Sequence, residues 1–292
     1  MRIFLLVTLV LVAFAANSVL CRLALAQDAI GPASFTIIRL VAGALCLATL
    51  VGLRRQGPLA SPAGSFLLPV RDGSARAGLA LLAYMVGFSF SYVTLETGTG
   101  ALILFAGVQM TMFGGALVGG ERPPMVRWAG AGLGLTGLAV LFLPGAAVPA
   151  PAGALLMAVA AAAWGVYSLI GRAAKAPILE TARNFRTACL MGLVPLFALA
   201  FLAGEHASAR GVLLAVLSGA VASGLGYALW YSVLPHLPAS VAALAQLTVP
   251  IIALGGGMLF LGEPLTWRFA FAAALVLGGV AGAILLAPRP AR

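Results

Sequence analysis

The stretch Phe14-Ala15-Ala16-Asn17-Ser18-Val19-Leu20-Cys21-Arg22 has a counterpart later in the chain, Trp164-Gly165-Val166-Tyr167-Ser168-Leu169-Ile170-Gly171-Arg172. An aromatic, a serine and an arginine coincide at one fixed offset. Other landmarks follow in the same order: Arg39 answers Arg186, Tyr92 answers Tyr231, and Gly120-Glu121 and Gly262-Glu263 each close a long apolar run. Two alanine-rich helices align readily by chance, but several landmarks in one order point to an internal duplication.

The solvent of this chain is lipid. Of its 292 residues 62% are hydrophobic and 8% charged, against about 25% charged in a soluble domain. Too little polar surface is available to cover so many apolar runs in water. Apolar windows of about twenty residues, each long enough to cross a bilayer as a helix, fall at 3–26, 33–53, 76–95, 100–119 and 125–143. The second half repeats the pattern at 151–171, 180–203, 210–232, 239–261 and 267–287. The expected fold is therefore an all-α integral membrane protein of ten transmembrane helices. Its two five-helix repeats occupy residues 1–145 and 146–292. The longest connection, Arg54 to Ala75, carries Pro58, Pro62 and Pro69 and is too short for a soluble domain.

Met1-Arg2 followed by an apolar run resembles a secretory signal, but the apolar stretch continues to Ala26 and has its own internal counterpart, so it reads as a retained span. The net charge of +10 invites a nucleic-acid reading. Its cations are scattered as singlets and pairs between apolar runs, with no basic stripe and no stacking motif, so membrane topology explains them better. With a cytoplasmic N-terminus, that side receives Arg2, Arg54, Arg55, Arg71, Arg76, Arg122, Arg127, Arg172, Lys175, Arg183, Arg289 and Arg292, and the other receives chiefly Arg210 and Arg268. The positive-inside rule thus places both termini in the cytoplasm of a multi-pass protein of the cell membrane, a bacterial inner membrane. Cys21, Cys46 and Cys189 lie in apolar stretches without metal or disulfide spacing and read as inert thiols.

Five spans per half is an odd number, so the second half enters the membrane in the opposite sense to the first. Such an inverted repeat suits alternating access, in which two similar halves rock about a central site. At this level the chain resembles the EamA-type transporters of the drug/metabolite transporter superfamily. The resemblance rests on Asn17-Ser18 with Arg22, Pro32-Ala33-Ser34-Phe35 leading to Arg39, and Gly100 to Ile103 through Val108-Gln109 to Gly120-Glu121-Arg122. In the second half it rests on Trp164 to Arg172, Ala239 to Pro250, and Phe260-Leu261-Gly262-Glu263-Pro264-Leu265. It implies ten helices, a central cavity and the movement of small metabolites, with a lean towards efflux.

Polar groups at bilayer depth are the candidate site residues, because a charge there costs about 3 kcal/mol or more and demands a partner, water or an escape route. Arg39 lies about two turns inside its span; it binds a substrate carboxylate or holds a gate, or else snorkels to the interface. Gln109 and Gln246 are uncharged groups suited to orienting a polar substrate, or to holding helices together. Asn17, Ser18, Trp164, Tyr167 and Ser168 share faces of the first and sixth helices. Tyr92 and Tyr231, with Tyr84, Tyr227 and Trp230 beside them, offer rings for stacking along the third and eighth helices. Glu96 is the candidate for proton coupling, with an ordinary interfacial acid as the alternative. Glu121 and Glu263 are expected to complement the N-termini of the fifth and tenth helices that follow them.

These residues favour a secondary transporter, an exporter of small metabolites such as amino acids or related compounds, over two rivals. A membrane-embedded enzyme would need clustered His, Asp or Glu, and the chain has only His206 and His236, far apart. A scaffold or channel subunit would not ordinarily need an inverted repeat. No cofactor, metal or nucleotide-binding motif is expected. The partners expected are a small-molecule substrate and the lipid bilayer, with a homodimer as an open possibility and nucleic acid excluded.

Overall fold

Prolines and small polar residues mark where the helices begin. A computed structural model describes residues 2–55, 72–141 and 150–286. Pro32, Pro151 and Pro177 open their helices at the position where a missing N–H is harmless. Ser208 and Thr266 cap two others through their hydroxyls, accepting from the Gly211 and Phe269 amides. Gly120, Gly204 and Gly262, at φ of 80°, 61° and 69°, take the left-handed conformation that ends a helix.

The first seven spans are α1 (Arg2–Leu25), α2 (Pro32–Arg55), α3 (Asp72–Ser91), α4 (Thr97–Val118), α5 (Met125–Leu141), α6 (Pro151–Gly171) and α7 (Pro177–Leu202). The eighth is composite: α8 (Ala209–Leu217) widens into a π-helical segment (Ser218–Leu225), then continues as α9 (Gly226–Val233) and a closing 3₁₀ turn at Leu234–His236. The ninth is broken into α10 (Ala239–Gln246) and α11 (Val249–Leu261), with Pro250 in the first turn after the break; the tenth is α12 (Trp267–Leu285). The ten spans expected from the sequence are thus all present, and seven of them are long and apolar enough to cross a bilayer on those grounds alone. Most of the Arg54 to Ala75 connection, Arg71, Arg289 and Arg292 fall outside the described residues.

The bundle carries its polarity inside. Phe4, Val194, Phe201 and Leu259 stand exposed on its outer surface, while Asn17, Arg39, Gln109 and Gln246 are buried. This is the arrangement lipid selects, since hydrocarbon offers no partner to a polar group.

The packing obeys the exchange of the two halves. α2 packs on α7, α5 on α12, and α4 on the broken ninth span, each pair mapping onto itself when spans one to five are swapped with six to ten. The contact of α3 with α6 is mirrored by that of α1 with the eighth span, and α4 with α6 by α1 with α11.

Glu121 and Glu263 make this symmetry explicit and correct one expectation. Neither complements the helix that follows it. Glu263 accepts from the backbone amide and the hydroxyl of Thr97, both at 2.8 Å, at the start of α4. Glu121 accepts from the Ala239 amide at 3.0 Å and from the Ser240 hydroxyl at the start of α10. Each left-handed glycine turns the chain so that the next carboxylate reaches the antiparallel partner's first turn, where orphan N–H groups attract it. Arg127 adds an ion pair to Glu121 at 3.4 Å and a bond to Ser240 at 2.9 Å.

At the end of the bundle away from the termini, the α1–α2 loop is fastened to the α7–α8 loop. Glu205 accepts from the Ala33 and Ser34 amides at 3.0 and 2.7 Å, Gly31 donates to the His206 carbonyl, and Ile30 and Ala207 form an antiparallel bridge.

The glycines of α4, α5, α11 and α12 divide in two. A Cβ added at Gly115, Gly134, Gly256, Gly257 or Gly279 would meet a neighbouring helix, whereas Gly114, Gly255, Gly278 and Gly282 face open space. The first group permits close helix approach; the second adds nothing to packing.

Candidate substrate site

Arg39 is completely buried, the only charged residue in that position among the described residues. It reaches the centre of the bundle from α2 and is held by groups of both halves. Its Nε donates to Ser223 Oγ at 3.0 Å, and its Nη2 donates to the hydroxyls of Tyr84 at 3.2 Å and Tyr227 at 2.7 Å. The guanidinium also lies over the rings of Phe88 and Tyr84, 4.8 and 5.3 Å from their centroids, within the range of a cation–π attraction. Nη1 has no partner.

Asn17 extends the group from α1. Its Nδ2 donates to Tyr84 and Tyr227 at 3.3 and 3.4 Å, and its Oδ1 accepts from Ser218 at 2.6 Å. Tyr227 and Tyr84 bond one another at 3.0 Å. The local fold explains how the second half supplies two serines here. Ser218 and Ser223 open and nearly close the π-helical segment, whose extra residue per turn shifts side chains relative to an α-helix. Gly219 allows that segment to press against α2, for a Cβ there would collide with the Arg39 backbone.

Trp164 joins the group to the other side of the bundle. Its ring lies 4.6 Å from Tyr227, 4.8 Å from Tyr84 and 5.2 Å from Phe14, while its Nε1 donates to Gln246 Oε1 at 2.8 Å. Gln246 is the last residue of α10, beside the break in the ninth span, and its Nε2 donates to the Met112 sulfur at 3.2 Å. Gln109 precedes Met112 by one turn on α4. Both polar atoms of its amide are buried without a partner. A polar line therefore runs from Arg39 through the aromatic rings to the α4–α10 contact.

The structure brings together Asn17, Arg39, Trp164 and Gln246, while Gln109 lies one turn before Met112 on α4 with its amide near Gly134 of α5. The other candidates lie at the edge of the group or outside it. Tyr92 donates to the Thr97 carbonyl at 3.3 Å and closes the α3–α4 turn, with its ring against Phe88. Tyr231 donates to the Tyr167 carbonyl, the Tyr167 ring stacks on Trp164 at 5.3 Å, and Ser168 accepts from Trp230. Ser18 is buried, and Glu96 stands exposed as the residue before α4. Arg186, the counterpart of Arg39, is only half buried, so the repeat preserves the position without preserving the environment. Tyr84 and Tyr227, offered by the sequence as stacking rings, pack against Trp164 and also bond Arg39 through their hydroxyls. Ser218 and Ser223 carry no sequence signal, since their convergence depends on the π-helical segment.

Ten helices in two exchange-related sets of five, with a buried polar group at their junction, define a multi-pass membrane protein. The chain belongs to the EamA-like transporter family, whose members are secondary transporters of the drug/metabolite superfamily. The family model matches residues 151–285, the last five spans. A protein of Pseudomonas aeruginosa carrying the name Uncharacterized protein PA1977 is 46% identical over 291 residues, covering 100% of this chain and 96% of the relative. A solved crystal structure aligns with a TM-score of 0.72 at 21% identity over 98% of both chains. At that identity the likeness speaks for the fold alone.

Proposed function

We propose that this protein exports small metabolites, amino acids or the organic acids related to them, by alternating access of the repeats 1–145 and 146–292 about the Arg39 group. The observation that carries the reading is that one buried cation is bonded by α3 of the first half and by the π-helical segment and α9 of the second. Relative motion of the halves must remake those bonds, so occupancy of the site and the conformation of the bundle are coupled. Both termini are cytoplasmic in this reading, and the fastened α1–α2 and α7–α8 loops form the closed extracytoplasmic gate.

Asn17, Arg39, Gln109, Trp164 and Gln246 are the substrate contacts. Glu96, exposed to solvent, is poorly placed to carry a proton through the bundle. The test is uptake of a panel of labelled amino acids and small organic acids into proteoliposomes, with and without an imposed pH gradient. Saturable uptake above protein-free vesicles supports a carrier. Its absence for the whole panel, with folded protein in the vesicles, counts against one.

A further inference from the structure

The Arg39 group is rich in donors and poor in acceptors. Arg39, Asn17, Ser218, Ser223, Tyr84 and Tyr227 together present the N–H and O–H groups of a guanidinium, an amide and four hydroxyls. The acceptors they use are the hydroxyl oxygens of Tyr84, Tyr227 and Ser223 and the Asn17 amide oxygen. Arg39 Nη1 is left over, and so is one hydroxyl proton of the Ser223–Tyr227–Tyr84 chain, because each member already receives a bond. A buried arginine normally finds a carboxylate. Here Glu121, Glu180, Glu205 and Glu263 bond helix N-termini, Asp28 and Glu96 are exposed, and Asp72 opens α3.

We infer that the transported substrate is an organic anion, a monocarboxylate with a flat apolar body and no ammonium group. This rests on the carrier reading and narrows it. A carboxylate supplies the two strong acceptors that the free edge of Arg39 and the spare hydroxyl lack. Trp164, Phe14 and Phe88 offer rings to the rest of the molecule. The same group offers no carboxylate, among the described residues, to hold an ammonium ion, which sets zwitterionic amino acids at a disadvantage. Export of a monoanion moves one negative charge outward per cycle, down an inside-negative membrane potential. Such a carrier needs no co-transported proton, in keeping with Arg39 as the one fully buried charged residue among those described.

The experiment uses purified full-length protein and four matched probes: phenylacetate, phenylacetamide, phenethylamine and phenylalanine. Binding is read as thermal stabilisation. Flux is read as uptake into proteoliposomes made inside-positive with potassium and valinomycin, against protein-free vesicles. The expected result is that phenylacetate stabilises the protein and accumulates with the potential, at least about tenfold more in wild type than in Arg39→Gln. The amide, amine and zwitterion do neither, and a pH gradient alone adds nothing beyond passive entry. Protein-dependent uptake of phenethylamine or phenylalanine that equals phenylacetate uptake, or carboxylate uptake unchanged in folded Arg39→Gln, overturns the inference and leaves the carrier reading standing. Stabilisation by chloride equal to that by phenylacetate also overturns it, in favour of an inorganic anion. If no probe of any charge binds or moves, the inference fails together with the carrier reading.

Discussion

Tyr227 accepts a 2.7 Å hydrogen bond from Arg39 although the two residues lie 188 positions apart and in opposite halves of the chain. The bond joins α2 to α9 at the junction about which the halves are proposed to move, and it ties the only fully buried charge among the described residues to the repeat that lacks an equivalent one.

Replacing Arg39 by Met separates stability from transport. The hydroxyls of Ser223, Tyr227 and Tyr84 bond one another at 3.3 and 3.0 Å, so removing the guanidinium leaves them partnered and relieves the desolvation of a buried charge. Arg39→Met is expected to unfold in detergent within about 1 kcal/mol of wild type, or later, while substrate flux is lost. A large loss of stability would assign Arg39 a structural part instead.

Tyr227→Phe has the opposite signature. It removes the shortest bond to Arg39 and leaves the charge buried, which is expected to destabilise by about 2 kcal/mol. In a double-mutant cycle Arg39→Met restores stability to Tyr227→Phe, with a coupling of about 1 to 2 kcal/mol. Additive effects would show that the bond contributes nothing in the membrane.

The glutamate caps are expected to behave alike. Glu121→Ala and Glu263→Ala each strip acceptors from the first turn of the partner helix and are expected to destabilise by about 1 to 2 kcal/mol. Glu→Gln at either position retains one carbonyl acceptor and a smaller loss follows. Unfolding of the four variants checks this, and an asymmetry in which one cap contributes nothing would break the symmetric account.

Gly219→Ala places a Cβ against the Arg39 backbone, and overpacking of this kind costs about 1 to 3 kcal/mol. Gly255→Ala, with nothing within 4 Å, is the control and is expected to be neutral or slightly stabilising through better helix propensity. Equal behaviour of the two would show that the π-helical segment is free to shift away from α2.

The apolar periods made the ten spans legible, and the Gly-Glu landmarks made the duplication legible, because both are local properties of the chain. The destination of Glu121 and Glu263 was not, since it depends on which helices become antiparallel neighbours. Arg39, Asn17, Trp164 and Gln246 were readable as polar or aromatic groups at bilayer depth. Ser218 and Ser223 were hidden because five residues apart is not an α-helical face; only the π-helical segment aims both at the Arg39 group. The difference between Arg39 and Arg186 was equally invisible, for matched positions in a repeat do not guarantee matched neighbours.

The most direct test of alternating access is to lock the fastened loops. Ile30 and Ala207 face one another in an antiparallel bridge, a spacing within reach of a disulfide. Cysteines at both positions, in a background with Cys21, Cys46 and Cys189 changed to Ala, permit measurement of substrate flux in proteoliposomes before and after oxidation. Flux is expected to stop when the cross-link is complete and to return with reductant. Undiminished flux through fully cross-linked protein would contradict alternating access.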